Sequence, residues 1–239
     1  MQHAHVPPAD RSGCTDTLRP AAVLVAFSRT AFAHARAQAS DRLGQAFHNK
    51  QLSQCDPAGL EVLLLERAPD LRDHPGQIAF PGGRLEPGES AAQGALREAR
   101  EETGMDPDGV TICQVLSPLP MVHSRHCITP VVAWWDKTSP ITAVDSRETA
   151  SVFYAPLAAL MSASNRYTWQ YTSPEGHLRQ GPAWLIDAPD VGGTLPIPRL
   201  IWGFTAGLLD RIMEGYGWNQ PWDRQRIIDP RVGAGQMHR

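Results

Sequence analysis

The sequence predicts an α/β domain, a mixed sandwich of strands and helices. Short apolar runs of strand-forming residues alternate along the chain with segments of helical composition, and no internal repeat or low-complexity tract interrupts them. Length agrees, because 239 residues suit one domain with appendages and leave ample chain for a sizeable core.

Each element can be justified in turn. Residues Met1 to Arg19 mix Pro, His, Asp and Ser without periodicity and predict a loose arm over 1–19. Ala21 to Phe27 (AAVLVAF) and Leu60 to Arg67 (LEVLLLER) are short and apolar, as buried strands are. Between them Arg29 to Asn49, rich in Ala, Arg and Gln, predicts a helix; the whole connection, about 28–59, is long for a compact domain and is expected as a surface excursion outside the catalytic centre. Gly82-Gly83 and Pro87-Gly88 punctuate a loop. Ser90 to Thr103 then has helix-forming composition, and Gly104 stands where a helix would stop. Val110 to Leu116, Val131 to Trp135 and the shorter Ser151 to Ala155 predict strands, and Pro156 to Met161 starts a helix. Tyr167 to Tyr171 and Ala183 to Ile186 flank SPEGH, a hairpin pattern. Leu200 to Met213 is apolar enough for a closing helix, so the domain is placed at 20–214, with a tail of Pro, Asp, Arg and Gly over 215–239.

Composition narrows the function classes. A net charge of -3 lacks the basic excess of a general nucleic-acid or anionic-membrane binder, yet leaves room for a polyanionic small substrate met by local cations or a metal. Lysine occurs only at Lys50 and Lys137; every other basic side chain is Arg, which pairs with phosphate in a bidentate fashion, so individual arginines are candidate ligands. Cys14, Cys55, Cys113 and Cys127 are widely spaced without a C-x-x-C pair, which predicts reduced thiols rather than a zinc knuckle or disulfide framework. No apolar run reaches the ~18 residues of a membrane span and the N-terminus lacks a leader pattern, so the expected compartment is the cytoplasm.

The chemistry concentrates in GRLEPGESAAQGALREAREETGM, Gly83 to Met105. On a helix Glu98, Glu101 and Glu102 are related as i, i+3 and i+4 and share one face, while Ala95, Leu96, Ala99 and Thr103 form a different, core-directed stripe. Three crowded carboxylates repel one another, whereas a hard divalent cation turns the crowding into a binding site. Taken alone, E-x-x-E-E fits a solvated acidic face neutralised by Arg97 and Arg100.

The full spacing decides for the metal. Gly83, Glu89, Arg97-Glu98-Ala99, Glu101-Glu102 and Gly104-Met105 resemble the Nudix box position for position, with Ala99 a smaller aliphatic than usual. The resemblance implies a Nudix-type α/β/α sandwich with a mixed sheet. It also implies a loop-helix-loop motif that holds Mg²⁺ or Mn²⁺ and hydrolyses a nucleoside diphosphate linked to another group. It assigns metal binding to Glu98, Glu101 and Glu102 with the Gly83 carbonyl, and bracing of the loop to Glu89 and Arg97. The catalytic base is Glu98 or Glu101, nearest the metals by spacing, or Glu148 from a later loop.

Upstream, LLLERAPDLRDHPGQIAFPGG (Leu63 to Gly83) resembles the signature preceding the box in coenzyme A pyrophosphatases, with Arg67, Ala68, Arg72, Gly76 and Phe80 to Gly83 matching and Leu65 standing where Thr is typical. Further similarity runs through Leu119 to Ala133, Glu148 to Leu160 and Ile201 to Leu209. This implies cleavage of CoA or acyl-CoA to adenosine 3′,5′-bisphosphate and 4′-phosphopantetheine or its acyl form. Arg67 and Arg72 are candidates for substrate phosphate, or else pair with Asp70, Asp73 or Glu86; Phe80 stacks on adenine or anchors the core. His74, His123 and His126 are either acid-base groups or solvated loop residues. The rival functions are a broader pyrophosphatase for ADP-ribose or dinucleotides, and a non-catalytic nucleotide-binding protein of the same fold. The expected partner is a small molecule, not nucleic acid or membrane; a homo-oligomer stays open.

Overall fold

The computed structural model describes residues 14, 17–30, 52, 55–121 and 124–232. Among them a mixed eight-stranded sheet is laid out around β1 (Arg19–Arg29), whose apolar run the sequence already marks. One flank of β1 pairs in parallel with β7 (His126–Trp135) over its whole apolar length, Ala21 opposite Ile128 and Phe27 opposite Trp134. The other flank pairs antiparallel with β2 (Leu60–Arg67) near one end and with β4 (Gly82–Arg84) near the other. Strands β3 (Ile78–Ala79) and β8 (Thr149–Pro156) extend the sheet beyond β2, and β5 (Val110–Val115) and β6 (Leu119–Met121) beyond β7.

Strand alternation splits β1 between two cores. Ala22, Leu24 and Ala26 face helix α1 (Ala91–Thr103), whose Ala95 and Ala99 are buried against them together with Leu63, Leu65 and Val131. Val25 and Phe27 face the other way, onto helix α3 (Gly203–Gly215) through Ala206, Leu209 and Ile212. Helices cover both faces, the α/β/α arrangement the sequence predicts. Beside α3 a second, four-stranded sheet runs in the order β11 (Ile197–Ile201), β10 (Leu178–Ala188), β9 (Arg166–Thr172) and β12 (Ile227–Ile228). The expected hairpin is its centre, with Thr172 opposite Leu178 across Ser173 to His177. Short helix α2 (Leu157–Met161) continues from β8. No helix among the described residues is long and apolar enough to cross a membrane.

Three expectations are corrected. The closing helix begins at Gly203 rather than Leu200, because Leu200 and Ile201 are spent on hydrogen bonding to β10 and Trp202 is fully extended. The tail does not dissolve after Gly215: Trp218 is buried with its ring edge-on to Phe27 at 5.6 Å, and Ile227–Ile228 pairs with β9. Cys14 and Cys127 form a disulfide instead of remaining thiols. Strand register sets Pro20 opposite Cys127, and the Cys14 Cα lies 5.8 Å from that of Cys127. Within the long connection, Leu52 is 2% exposed and part of the core, while Asp56 and Ala58 are exposed; residues 31–51, 53 and 54 lie outside the described residues. The helix expected over Arg29 to Asn49 lies, beyond Thr30, outside the described residues, as do His123 and nearly all of the N-terminal arm.

Candidate active site

Local sequence builds the helix that carries the carboxylates. The Ser90 side chain accepts a hydrogen bond from the Gln93 N–H while the Gln93 side chain accepts from the Ser90 N–H, a complete capping box. At the far end Gly104 adopts φ 70, which an L side chain resists, and its N–H closes on the Arg100 carbonyl. Thr103 Oγ1 donates to the Ala99 carbonyl at 2.6 Å, satisfying the one polar group of the buried stripe.

Arg97 organises the loop and the helix together. Its Nε and Nη2 hold Glu89 in a two-point pair at 3.0 and 3.1 Å, and Nη2 also donates to the Arg84 carbonyl at 2.9 Å. Glu89 in turn accepts the Glu86 N–H at 2.9 Å. The guanidinium first, and then that N–H, hold the Glu89 carboxyl below its ordinary range, as suits a permanently ionised brace. The remaining nitrogen, Nη1, donates to both Glu98 and Glu101 at 3.0 Å.

The three clustered carboxylates have unequal surroundings. Glu101 is the exposed one, at 58% of its side chain, against 18% for Glu98. Glu102 accepts the Gly82 N–H at 2.9 Å. Burial pushes Glu102 up to about 7, helped by the Glu98 and Glu148 charges and opposed by the Gly82 N–H and Arg67. Burial also raises Glu98, against the pull of Arg97. Two anions are thus held out of water with less positive charge than they need, the electrostatic condition for a cation.

The backbone gives the same indication. A Cβ on Gly83 would stand 2.5 Å from Glu98 Cδ, so only glycine lets this carboxylate lie against β4. The donor set and the cradle both suit Mg²⁺ or Mn²⁺, which prefer oxygen ligands. Even so, among the described residues no three His, Cys, Asp or Glu side chains converge closely enough to enclose an ion. Glu98 and Glu101 are held by Arg97, and Glu102 is held separately by the Gly82 N–H.

The other predicted residues divide. Arg67 is half-buried beside the site: it lowers Glu102, donates to the Asp73 carbonyl at 3.4 Å, and its Nε is buried with no partner among the described residues. Glu148 also reaches the site's field, from an exposed turn whose carbonyl accepts the Ala68 N–H at 2.9 Å. Arg72 is exposed on the loop between them, and among the described residues it makes no ion pair. Phe80 is a correction: it is 3% exposed and packed into the core on the α3 side, so its ring has no free face for adenine. His74 is exposed at φ 56, and burial lowers the pKa of half-buried His126. The backbone roles of Gly82 N–H and the Arg84 carbonyl were not legible, since no side chain signals them.

With this geometry in hand, the comparisons with known proteins are consistent. The family model described as the NUDIX domain matches residues 54–178. The chain is similar to an uncharacterized Nudix hydrolase, NudL, of Cronobacter sakazakii, at 33% identity over 149 residues, covering 62% of this chain and 71% of that protein. It is also similar to a probable nudix hydrolase of Schizosaccharomyces pombe, at 32% identity over 153 residues, covering 64% of this chain but only 49% of that longer protein. Among solved structures, a Nudix hydrolase from M. smegmatis, RenU, superposes with a TM-score of 0.38 at 21% identity, covering 58% of this chain and 71% of that one.

Proposed function

The chain belongs to the Nudix family, and on that premise we propose that it hydrolyses the pyrophosphate bond of coenzyme A or an acyl derivative. Water adds across the P–O–P bridge to give adenosine 3′,5′-bisphosphate and 4′-phosphopantetheine, or its acylated form. Glu98, Glu101 and Glu102, with the Gly83 carbonyl, would hold Mg²⁺ or Mn²⁺; a bound ion supplies charge neutralisation at the phosphoryl oxygens and acidifies water.

The chain's own groups do the rest. Arg97 and Glu89 fix the loop so that the carboxylates keep their places. A carboxylate of the Glu98, Glu101 and Glu148 set takes the proton released by the attacking water. Arg67 adds positive charge beside Glu102, where a nonbridging phosphoryl oxygen needs it.

One observation carries the substrate reading. The segment Leu63 to Gly83, which resembles the coenzyme A pyrophosphatase signature, meets helix α1 at Glu102, where the Gly82 N–H donates to the carboxylate and the Arg67 charge acts on it. Initial rates on CoA, ADP-ribose and NADH with Mg²⁺ or Mn²⁺ test it. The expected order puts CoA first; a clear preference for ADP-ribose or NADH overturns the reading.

A further inference from the structure

Three arginines and a histidine gather at the end of the central sheet where β1, β4 and β7 begin or turn. Ala21 lies opposite Arg84 on β4 and Ile128 on β7, and Arg19 lies opposite His126. Residues two apart on a strand, and residues paired across strands, share a face. Arg19, Arg84 and His126 therefore project from one face, on neighbouring strands about 4.8 Å apart. Arg125 adjoins them in the turn before β7, its carbonyl accepting the Arg19 N–H at 2.8 Å.

This arrangement differs from three other arginine sites. Arg97, Arg166 and Arg199 are each matched with carboxylates, Arg166 with Asp210 and Arg199 with Glu66 and Asp190. Arg19, Arg84 and Arg125 are exposed, and among the described residues none of them makes an ion pair. Like charges on adjacent strands repel, so the grouping has no stabilising purpose of its own. Burial first, and then the Arg84 and Arg19 charges, hold the His126 pKa down, with only Asp73 acting in the opposite sense among carboxylates. The backbone is unusual at the same place: Arg125, in the turn before β7, holds φ 55, which a residue with a side chain seldom adopts. Such conformations gather where side chains are held for a ligand.

We infer that Arg19, Arg84, Arg125 and His126 form a second anion site, one that takes a phosphate monoester of the substrate remote from the bond being cleaved. Arg84 follows Gly83, which abuts Glu98, but alternation turns it to the opposite face of the sheet. A ligand therefore spans the end of β4, with its pyrophosphate on the carboxylate side and a dianionic phosphate on the arginine side. On the proposed function, on which this assignment of the ligand rests, that group is the 3′-phosphate of CoA. Arg67 and Arg72 are then left to the pyrophosphate and the loop.

Calorimetry on the full chain tests this without turnover, using adenosine 3′,5′-bisphosphate and AMP as probes. The wild type should bind the bisphosphate at least about ten-fold more tightly than AMP, as a two-point guanidinium contact requires. Arg19→Gln with Arg84→Gln should bring the two probes within about two-fold while leaving AMP affinity unchanged. In steady state the same variant should raise KM for CoA about ten-fold with kcat nearly constant, and leave dephospho-CoA unaffected. Arg84→Lys, which keeps the charge but not the fork, should restore part of the preference. A double variant, folded by circular dichroism, that still prefers the bisphosphate overturns the site. Loss of the preference in the variant supports it even if the wild type fails to cleave CoA, a result that would sink only the substrate reading.

Discussion

Replacing Gly83 by Ala separates the chemistry from the fold. The backbone at Gly83 is not left-handed, so alanine adopts it without strain. The added methyl meets Glu98, with Cδ at 2.5 Å and Oε2 at 2.7 Å. Ordinary carbon contacts begin at about 3.5 Å, so the Glu98 carboxylate must retreat by about 1 Å. It is the free end of a flexible side chain and can do so, losing its place against β4 and its 3.0 Å bond from Arg97. A displacement of about 1 Å in catalytic machinery costs on the order of 10²-fold in rate, which is about 2.7 kcal/mol of barrier. The assay is kcat/KM on the preferred anhydride across a Mg²⁺ titration, alongside a thermal melt. Expected are a near-native melting temperature and a hundred-fold loss that added metal only partly restores. Gly82→Ala supplies the contrast, because its methyl meets backbone, the Ala22 carbonyl and Val23 Cα at 2.7 Å, and should therefore unseat β4 and lower the melting temperature. Wild-type activity in Gly83→Ala would refute the placement of Glu98 in the working site.

Other consequences are as direct. Glu101→Gln and Glu102→Gln should each lower kcat by at least about 10²-fold with little change in melting temperature, and Glu89→Gln should be milder; if Glu89→Gln proves the most damaging, the division between bracing and liganding positions is wrong. Glu61, beside Ser28 Oγ at 3.3 Å, is pushed by burial from 4.5 to about 7. Between those values the folded chain keeps a proton that the unfolded chain releases, so stability falls as pH rises through the window, by up to about 3 kcal/mol. Glu61→Gln should flatten that fall and raise the melting temperature at pH 8; an unchanged pH profile of stability counts against it. Trp218→Ala should cost roughly 3–5 kcal/mol in a denaturant melt, and a loss below about 1 kcal/mol would mean that the tail is not part of the core.

What could be read from the sequence was what is local. Helix α1 is specified by residues within a turn of its ends, Ser90 and Gln93 at one and Gly104 at the other, and its carboxylate face follows from i, i+3, i+4 spacing alone. Long apolar strands such as β1 and β2 announce themselves in the same way. Two-residue β3 and three-residue β4 do not, because so few residues carry no period; they exist through pairing with β2 and β1. The Cys14–Cys127 disulfide spans 113 residues and depends on strand register, which spacing does not encode. Buried Arg166, lying over Trp184 with its centre 4.4 Å from that ring, and buried Arg199, gripped by Glu66 and Asp190, are set by tertiary contacts that composition cannot distinguish from surface arginines. Phe80 shows the converse limit: its motif position fits a ligand contact and a core anchor equally, and only burial decides.

Product identification decides whether CoA is cleaved at its pyrophosphate bridge. Purified protein with Mg²⁺ is incubated with CoA, and the products are resolved by mass and counted. Expected are adenosine 3′,5′-bisphosphate and 4′-phosphopantetheine in equal amounts, each rising as CoA falls, and neither formed when the metal is chelated. Intact CoA under conditions in which ADP-ribose is split, or release of inorganic phosphate with the pyrophosphate bridge unbroken, would contradict it.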